Sequence, residues 1–399
     1  MMNYRFSDTI DSFKSSAVRE ILKLTQGKSI ISLAGGLPNE QYFPIDAVRE
    51  AFLRVFEEGK QVLQYGLTEG FTPLRQSIAK HMERKHIHVG VDDMLITTGS
   101  QQAIDLLARI YIDPGDVILV ERPTYLAAIQ IFQSHKARLV SVDGDADGMN
   151  LTDLELKIKQ YNPKMIYVVP TFSNPAGKSW NLERRQGALD ICKRNDVLIL
   201  EDDPYGELRF GGGEAVPSIF SLDKHPEGCG VVYTSTFSKI VAPALRTGWA
   251  IGDAEVIRQM ARAKQAADLH SSTMDQQALH QLFEHFDIYS HIDLVRSEYE
   301  IRMRQMTDLL SKQNWPGMRW TEPKGGMFIW LELPEYIDTE QLLKLAVEEG
   351  VAFVPGIGFF ADEPQRNAMR LNFTHTDNVQ LVEGFARLDR AIQKVLQPV

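Results

Sequence analysis

Short apolar runs alternate with longer amphipathic stretches through the central part of the chain. The runs lie at residues 94–98, 117–120, 138–142, 165–169, 197–200, 231–233 and 247–251. Strands that alternate with helical stretches predict a mostly parallel sheet with helices on both faces, an α/β fold. Ligands of such sheets bind beyond the carboxyl ends of the strands, so the residues directly after each run are the candidate site.

The pattern changes after the last of these runs. Residues 255–313 show helical periodicity. Further strands are expected at 328–331, 351–354 and 369–373, with helices at 339–349 and 378–395. These short elements predict a smaller α+β domain. We therefore expect three parts: an arm at 1–45 that packs on the small domain, a large domain at 46–295 and the small domain at 296–399.

Composition and charge exclude several classes of protein. The chain has 399 residues, 44% of them apolar and 24% charged, as in ordinary globular proteins of two domains. A net charge of -10 without any basic run argues against nucleic-acid or anionic-membrane binding. The apolar runs are too short to cross a bilayer, the N-terminus lacks a signal-peptide core, and two cysteines cannot form a disulfide framework. A cytoplasmic protein is expected.

One lysine stands among hydroxyl residues just after an apolar run. The segment Thr234-Ser-Thr-Phe-Ser-Lys239 follows this run, and Arg246 comes seven residues later. Lysine is rarely placed in an apolar setting unless it is paired or its amine is kept neutral as a nucleophile. A neutral amine beside another cation is what Schiff-base chemistry requires, so Lys239 is the candidate nucleophile.

Two earlier strand ends carry less specific signals. Gly99-Ser100 opens a predicted helix, and the free amides there can bind a phosphate, although a simple helix cap is the more frequent explanation. Tyr125 either lies flat on a planar ligand or packs its ring and hydrogen-bonds its hydroxyl. Neither signal identifies a ligand by itself.

Two neighbouring strand ends place polar groups that can hold an aromatic ring by its edge. Asn174 follows one run, and Asp202 follows the next, with Tyr205 three residues further on. A carboxylate opposite a pyridinium nitrogen would keep the ring protonated and electron-withdrawing. The alternative for Asp202-Asp203 is a turn or a helix cap, and for Asp203 we expect that alternative.

Taken in order, these motifs resemble the pyridoxal-phosphate aminotransferases of fold type I, class I/II. The resemblance covers about residues 3–395. It rests on Gly99-Ser-Gln, Tyr125, Asn174-Pro-Ala-Gly177, Asp202-Asp-Pro-Tyr205, Ser235-Thr-Phe-Ser-Lys239 and Arg246. Leu33-Ala-Gly-Gly-Leu-Pro38, Phe43-Pro44 and Leu63-Gln-Tyr65 are similar to the α-aminoadipate and kynurenine aminotransferase group. The resemblance implies an aspartate-aminotransferase-like fold.

The resemblance also implies roles for the matching residues. Lys239 would form the Schiff base, Asp202 would contact the pyridine nitrogen, Asn174 and Tyr205 would bind the ring 3'-oxygen, and Tyr125 would stack on the ring. The residues implied at the phosphate are Ser100, Gln101, Thr236, Ser238 and Arg246. Tyr65 would reach the phosphate of a neighbouring subunit, which implies a homodimer with shared active sites.

Four residues are implied at the substrate: Arg370, Asn174, Gly36 and Arg19. Arg370 would hold the α-carboxylate, because a guanidinium fork matches a carboxylate. From the sequence alone, an arginine on a half-exposed strand is more often solvated. Arg19 either reads the substrate side chain or is a surface residue in the first turns of a helix.

The expected reaction moves an amino group from an L-amino acid to a 2-oxo acid, with 2-oxoglutarate as the expected acceptor, in a ping-pong cycle. Aromatic, α-aminoadipate and aliphatic donors all remain open. One alternative is another pyridoxal-phosphate reaction on this fold, a β-lyase or a decarboxylase. A second alternative is an aminotransferase-like sensor, which we consider disfavoured because the chain begins almost at the enzyme-like region.

No metal site is expected. Asp143-Gly-Asp-Ala-Asp-Gly148 imitates a calcium loop, but Leu154 stands where the bidentate glutamate belongs. His81, His86 and His88 lack the spacing of metal ligands on one element, and we expect them at a solvated helix end.

Overall fold

The computed structural model describes residues 2–7, 9–10, 30–223 and 229–396. Its strands, numbered along the chain, are β1 (Ile31–Ser32), β2 (Met94–Thr97), β3 (Val117–Glu121), β4 (Arg138–Val142), β5 (Met165–Val168), β6 (Leu198–Asp202), β7 (Val231–Thr236), β8 (Gly248–Ile251), β9 (Arg319–Trp320), β10 (Phe328–Glu332), β11 (Val351–Ala352), β12 (Val354–Pro355) and β13 (Ala368–Asn372). Every strand-like run that the sequence indicated thus overlaps at least one strand.

The helices are numbered in the same way. They are α1 (Ile45–Glu57), α2 (Thr72–Glu83), α3 (Ser100–Tyr111), α4 (Leu126–Ser134), α5 (Leu151–Tyr161), α6 (Leu182–Arg194), α7 (Ile219–Leu222), α8 (Ala254–Ala267), α9 (Thr273–His285), α10 (Ile288–Ser311), α11 (Thr339–Glu349) and α12 (Asn378–Leu396). Within the described ranges, none of these helices combines the length and apolarity that a membrane crossing needs.

The large sheet has seven strands in the order β2-β8-β7-β6-β5-β3-β4. The strands from β7 to β4 pair in parallel, whereas β8 runs antiparallel to β7 and β2. Strand β7 extends beyond the predicted run because Ser235 and Thr236 pair with Trp249 and Gly248 of β8. The predicted mostly parallel sheet is therefore confirmed.

Helices cover both faces of this sheet. Ile166 and Val168 of β5 belong to an apolar cluster that includes residues of α5 and α6. Tyr167, between them, belongs to a second cluster with residues of α3, α4 and α8. Successive strand residues point to opposite faces, so the two clusters lie on opposite sides of the sheet. A strand buried on both faces explains why the runs in the sequence are continuously apolar.

A second, antiparallel sheet has the order β12-β13-β10-β9. The run at 351–354, predicted as one strand, is divided: β11 pairs in parallel with β1, and β12 pairs with β13. The pairing with β1 joins residues 31–32 to the C-terminal part of the chain. Arg370 lies in the middle of β13, opposite Trp330 of β10 and Val354 of β12.

Candidate functional site

A cavity of about 370 Å³ lies where β6 and β7 end and where the two sheets approach each other. The structure brings most of the predicted site residues to its wall. They are Gly36, Ser100, Gln101, Tyr125, Asn174, Asp202, Tyr205, Thr236, Ser238, Lys239, Arg246 and Arg370. Tyr65 does not line the cavity and is 78% exposed, and Arg19 lies outside the described residues.

Lys239 reaches the cavity from a short 3₁₀ turn that directly follows β7. Thr236 starts this turn, and its side-chain oxygen accepts a hydrogen bond from the backbone N–H of Ser238. The Lys239 amine donates to the backbone carbonyl of Gly36, 3.1 Å away. Burial, followed by the positive charges of Arg370 and Arg246, lowers the pKa of Lys239 to about 8. The amine is therefore poised to lose its proton near neutral pH.

Asp202, the last residue of β6, is only 2% exposed. One carboxylate oxygen, Oδ2, accepts a hydrogen bond from the Tyr167 hydroxyl at 2.8 Å. The other oxygen, Oδ1, is buried and has no hydrogen-bond partner among the described residues. Burial raises the pKa of Asp202 to about 7, and the Tyr167 hydrogen bond opposes that rise. A buried carboxylate oxygen without a partner is costly unless a ligand supplies a donor.

Arg370 joins the small sheet to the large one at the cavity wall. Its Nη1 donates to Asn174 Oδ1 and its Nη2 donates to the Ala34 carbonyl, both at 2.8 Å. The guanidinium also lies over the ring of Phe328, 4.2 Å from its centroid. Arg370 is 3% exposed, which excludes the solvated strand face that its sequence alone favoured. Burial lowers its pKa to about 10, so it stays charged at neutral pH.

Asn174 connects Arg370 to a tyrosine. The Asn174 side-chain amide donates to the hydroxyl oxygen of Tyr205 at 3.4 Å. Burial raises the pKa of Tyr205 well above its usual range, which keeps its hydroxyl protonated. The pKa of Tyr125, at the start of α4, is likewise raised by burial, to about 12. The wall thus presents neutral donors around one buried carboxylate and one buried guanidinium.

Another part of the wall, which we call the anion site, carries groups that can bind an anion. Gly99 adopts a positive φ of 75° and α3 begins at the next residue, so the backbone amides of the first turn are available. Arg246 Nη1 lies 3.5 Å from Ser238 Oγ, and that oxygen lies 2.9 Å from Thr236 Oγ1. A helix N-terminus, hydroxyl groups and a guanidinium are the groups that bind phosphate.

Part of the cavity wall consists of residues that the sequence did not indicate. Leu126, Ala127 and Gln130 of α4, Val169 after β5 and Phe359 also line the cavity. Tyr167 lies within the apolar run at 165–169, and its hydroxyl donates a hydrogen bond to Asp202. The tyrosine within an apolar run was the one signal that could have suggested it, because a buried hydroxyl needs a partner.

Two expectations were wrong. Asp203 does not serve as a turn or cap: Lys85 Nζ and the Tyr233 hydroxyl donate to its Oδ2, at 3.0 and 2.8 Å. His81 is 1% exposed rather than solvated, and it faces Glu207 at 3.5 Å. Burial lowers the pKa of His81 to about 4 despite the opposing charge of Glu207. Both residues belong to a buried charged network behind the cavity.

The other two histidines, His86 and His88, are exposed, as predicted. Residues 144 and 149 form an isolated bridge, so the acidic segment between them is a turn. Within the described part of the chain, no group of three or more histidine, cysteine and carboxylate side chains is arranged to hold a metal ion.

Comparison with known proteins agrees with this geometry. Residues 28–388 match the family model of aminotransferase class I and II. Aromatic-amino-acid aminotransferase 1 of Thermococcus litoralis is 42% identical, with 98% of this chain and 95% of that protein covered. The 2-aminoadipate transaminase of Thermus thermophilus is 38% identical over 96% of this chain and 95% of that protein.

Solved structures show the same relationship. Kynurenine aminotransferase of Pyrococcus horikoshii superposes with a TM-score of 0.92 at 41% identity, over 98% of both chains. The α-aminoadipate aminotransferase LysN of Thermus thermophilus, complexed with N-(5'-phosphopyridoxyl)-L-leucine, gives a TM-score of 0.91 at 36% identity, over 98% of both chains. The predicted fold and family are thereby confirmed, and the chain belongs to the class I and II aminotransferases, which depend on pyridoxal phosphate.

Proposed function

We propose that this chain binds pyridoxal phosphate in the cavity and transfers the amino group of an L-amino acid to a 2-oxo acid. One observation carries the assignment of the site: the Lys239 amine, with its pKa lowered to about 8, lines the same cavity as the anion site and the buried Asp202. These are the three groups that a phosphorylated pyridine aldehyde needs. The acceptor that we propose is 2-oxoglutarate.

The residues present fit this cofactor. The Asp202 Oδ1 that lacks a partner would accept from the ring nitrogen, while Asn174 and Tyr205 would bind the ring 3'-oxygen. Tyr125 would pack on the ring face. The residues that would hold the phosphate are Ser100, Gln101, Thr236, Ser238 and Arg246. The negatively charged phosphate would also accept hydrogen bonds from Arg246. The contacts of Arg246 Nη1 within the chain are long, at 3.5 Å.

When bound, pyridoxal phosphate supplies an electron sink for the bonds at the substrate Cα. Lys239 is the group of this chain that would bind the cofactor covalently and, once released, accept and return the Cα proton. Its lowered pKa suits both tasks, because an ammonium can neither attack a carbonyl nor accept a proton. The negative charge of Asp202 would favour a protonated ring nitrogen, which strengthens the sink.

Arg370 would bind the α-carboxylate of the substrate. Its guanidinium is buried, charged and fixed by Asn174 and by the Ala34 carbonyl, so little side-chain entropy is lost when a carboxylate binds. The amino acid and the oxo acid both carry this carboxylate. The same arginine would therefore serve both halves of a ping-pong cycle in which the two substrates use the cavity in turn.

For the donor, we propose an aromatic, α-aminoadipate or aliphatic amino acid. The named relatives act on aromatic amino acids, 2-aminoadipate and kynurenine. Leu126, Ala127 and Phe359 give this cavity an apolar part that an uncharged side chain would fill. We propose that Gly36 borders the substrate, because a Cβ built on it would lie 4.0 Å from Arg370 Nη2. A contribution of Arg19 to side-chain recognition remains part of this proposal.

We also propose a homodimer with shared active sites. Large apolar side chains are exposed along one continuous stretch of sequence, in α1 and the loop after it: Ile45, Leu53, Phe56, Leu63, Tyr65 and Leu67. A second copy of the chain would cover them. Tyr65 is 78% exposed and does not line the cavity of its own chain, and it would then contribute its hydroxyl to the phosphate of the partner. Sedimentation analysis and a Tyr65→Phe variant with weaker cofactor binding would test this.

A reducing compartment, the cytoplasm, is the location that we propose. Cys192 is buried, Cys229 is half-buried, and both are free thiols. Burial raises the pKa of each thiol to about 12, which keeps it protonated and unreactive. Fractionation of cells that produce the protein would test the location.

The function is tested by trapping and by substrate screening. Borohydride reduction of the loaded protein should fix the cofactor on Lys239 and on no other lysine, as peptide mass spectrometry would show. Lys239→Ala should abolish both the trapped peptide and turnover. A screen of amino donors with 2-oxoglutarate should then show glutamate formed in equal amount to donor consumed. Donor loss without glutamate would indicate a β-lyase or a decarboxylase instead.

A further inference from the structure

Two tyrosines hold two adjacent carboxylates on opposite faces of the large sheet. Tyr167 of β5 pairs with Leu200 of β6, and its hydroxyl donates to Asp202, two residues further along. Tyr233 of β7 pairs with Glu201, and its hydroxyl donates to Asp203, again two residues further along. Both hydrogen bonds are 2.8 Å long, and both tyrosines are fully buried. The two pairs share this strand register and hydrogen-bond length, and only Asp202 lines the cavity.

The surroundings of the two carboxylates differ. Asp203 has Lys85 as a second donor, so its negative charge is compensated within the chain. Asp202 has no cation at hydrogen-bond distance among the described residues, and its Oδ2 receives only the Tyr167 hydroxyl. Each carboxylate has a buried Oδ1 without a hydrogen-bond partner among the described residues, but only Asp202 lines the cavity, where a ligand can reach it. Tyr167 is therefore the group of this chain that fixes which carboxylate oxygen of Asp202 remains available.

We propose that Tyr167 is a positioning residue for cofactor binding: its hydroxyl orients the Asp202 carboxylate and keeps it ionised opposite the ring nitrogen. This inference rests on the proposed function, in which Asp202 is the partner of that nitrogen. Tyr167 itself does not line the cavity, so it acts only through Asp202. Its ring is held by an edge-to-face contact with Phe132, at 5.5 Å between centroids, which fixes the direction of the hydroxyl.

The protonation states agree with this role. Burial and the neighbouring Asp202 charge raise the pKa of Tyr167 well above its usual range, so the hydroxyl remains a donor at every physiological pH. Burial raises the pKa of Asp202 to about 7, and the Tyr167 hydrogen bond acts in the opposite direction. Without the hydroxyl, less of the carboxylate would be ionised at neutral pH. A protonated Asp202 would offer no charge to a pyridinium nitrogen.

Cofactor binding to the apoprotein tests the inference without any measurement of turnover. Two ligands are compared: pyridoxal phosphate and an analogue in which CH replaces the ring nitrogen. Tyr167→Phe removes only the hydroxyl, and we expect it to weaken binding of pyridoxal phosphate about tenfold, the usual worth of a hydrogen bond to a charged group. Binding of the analogue should change less than about twofold, because the analogue has no nitrogen for Asp202 to contact.

Tyr233→Phe is the matched control, since it makes the same change at the neighbouring carboxylate outside the cavity wall. It should leave the affinity for both ligands unchanged. Three results for Tyr167→Phe would overturn the inference. If the affinity falls equally for both ligands, or if the variant no longer folds, the hydroxyl has a structural role. If neither affinity falls, the hydroxyl has no role in cofactor binding.

Asp202→Asn separates this inference from the proposed function. It should remove the preference for pyridoxal phosphate over the analogue, and adding Tyr167→Phe to it should cause no further loss. If Asp202→Asn keeps the preference, the proposed role of Asp202 fails, and the inference fails with it. If Asp202→Asn removes the preference but Tyr167→Phe does not reduce it, only the inference fails.

Discussion

Arg370 and Asn174 are joined by a 2.8 Å hydrogen bond that connects β13 of the small sheet to the loop after β5 of the large sheet. The bond uses Nη1 of the guanidinium, while Nη2 is bonded to the Ala34 carbonyl. A lysine could not make two such bonds from one fixed plane. The arginine is therefore held from both sides before any substrate arrives.

We predict that Arg370→Lys lowers kcat/KM about a hundredfold for the amino acid and for the oxo acid alike, because both lose the same fork for their α-carboxylate. For a primary amine that lacks the carboxylate, kcat/KM should fall little. Arg366→Lys is the control, since Arg366 lies two residues before β13, outside the cavity wall, and its guanidinium pairs with the side chains of Asp338 and Glu340. If kcat/KM falls for only one of the two substrates, donor or acceptor, Arg370 does not bind both of them.

The second prediction concerns the pH at which the apoprotein captures pyridoxal phosphate. Only the neutral amine reacts, and burial with the charges of Arg370 and Arg246 lowers the pKa of Lys239 to about 8. Below this pH the capture rate should rise about tenfold per unit, and above it the rate should level off. Stopped-flow absorbance over a series of buffers measures the midpoint.

Substitution of a neighbouring arginine tests whether its charge lowers the pKa of Lys239. Arg370→Gln removes a positive charge beside the amine of Lys239. The ammonium form is then less destabilised, so the pKa of Lys239 rises and the midpoint should move to higher pH. Arg366→Gln, far from the amine, should not move it. A wild-type midpoint near 10 would contradict the prediction, because the amine would then behave as an ordinary solvated lysine.

Much of this site was predictable because parallel strands end at one edge of a sheet. Asn174 and Asp202 each follow an apolar run in the sequence, and the register of β5 and β6 brings these two strand ends together. Ligand sites of open α/β sheets form at such edges. The helix start at Ser100 and the turn at Lys239 follow the same rule.

What the sequence could not show are contacts made by the backbone of a distant segment. The carbonyls of Ala34 and Gly36 accept from Arg370 and Lys239, more than 200 positions away in sequence. A carbonyl has no residue-specific signal, so only the folded chain shows this contact. The same holds for Asp203, whose partner Lys85 lies directly after α2, because a salt bridge between distant elements leaves no pattern.

The third prediction concerns the glycine at the anion site. A Cβ on Gly99 would lie 2.8 Å from Arg246 Nη2, and its φ of 75° is strained for any other residue. Gly99→Ala should displace the guanidinium and raise the Kd for pyridoxal phosphate about tenfold, since a charge-assisted bond to the phosphate is weakened. Inorganic phosphate should bind correspondingly worse to the apoprotein.

Gly115→Ala is a matched control for that strain. Gly115 also has a positive φ, of 94°, but a Cβ there would meet nothing within 4 Å. The variant should lose a similar amount of stability without any change in Kd. If both variants bind pyridoxal phosphate equally well, the close approach of Arg246 to Gly99 does not matter for the phosphate.

The last prediction concerns the charged network behind the cavity. Glu207 faces Lys85 at 3.3 Å, Arg296 at 3.1 Å and His81 at 3.5 Å. Burial alone would raise the pKa of Glu207, but the charges of Lys85 and Arg296, and of His81 when it is protonated at low pH, outweigh burial and lower this pKa to about 2. Glu207→Gln leaves Lys85 with Asp203 and Arg296 with the exposed Asp293, so each cation loses one of its two carboxylate partners. We therefore expect the free energy of unfolding to fall by about 2 kcal/mol at neutral pH. Urea unfolding of the apoprotein at one protein concentration measures it.

The stabilising effect of Glu207 should depend on pH. The folded-state pKa of Glu207 is depressed, so its stabilising effect is complete above its ordinary pKa near 4.5 and is lost as the pH falls towards about 2. The stability difference between wild type and Glu207→Gln should accordingly be constant from pH 7 to about 5 and shrink below that. Glu332→Gln, which breaks the exposed pair with Arg319, should cost less than about 1 kcal/mol at any pH. A Glu207 variant that behaves like the Glu332 variant would mean that Asp203 and Asp293 compensate Lys85 and Arg296 without Glu207.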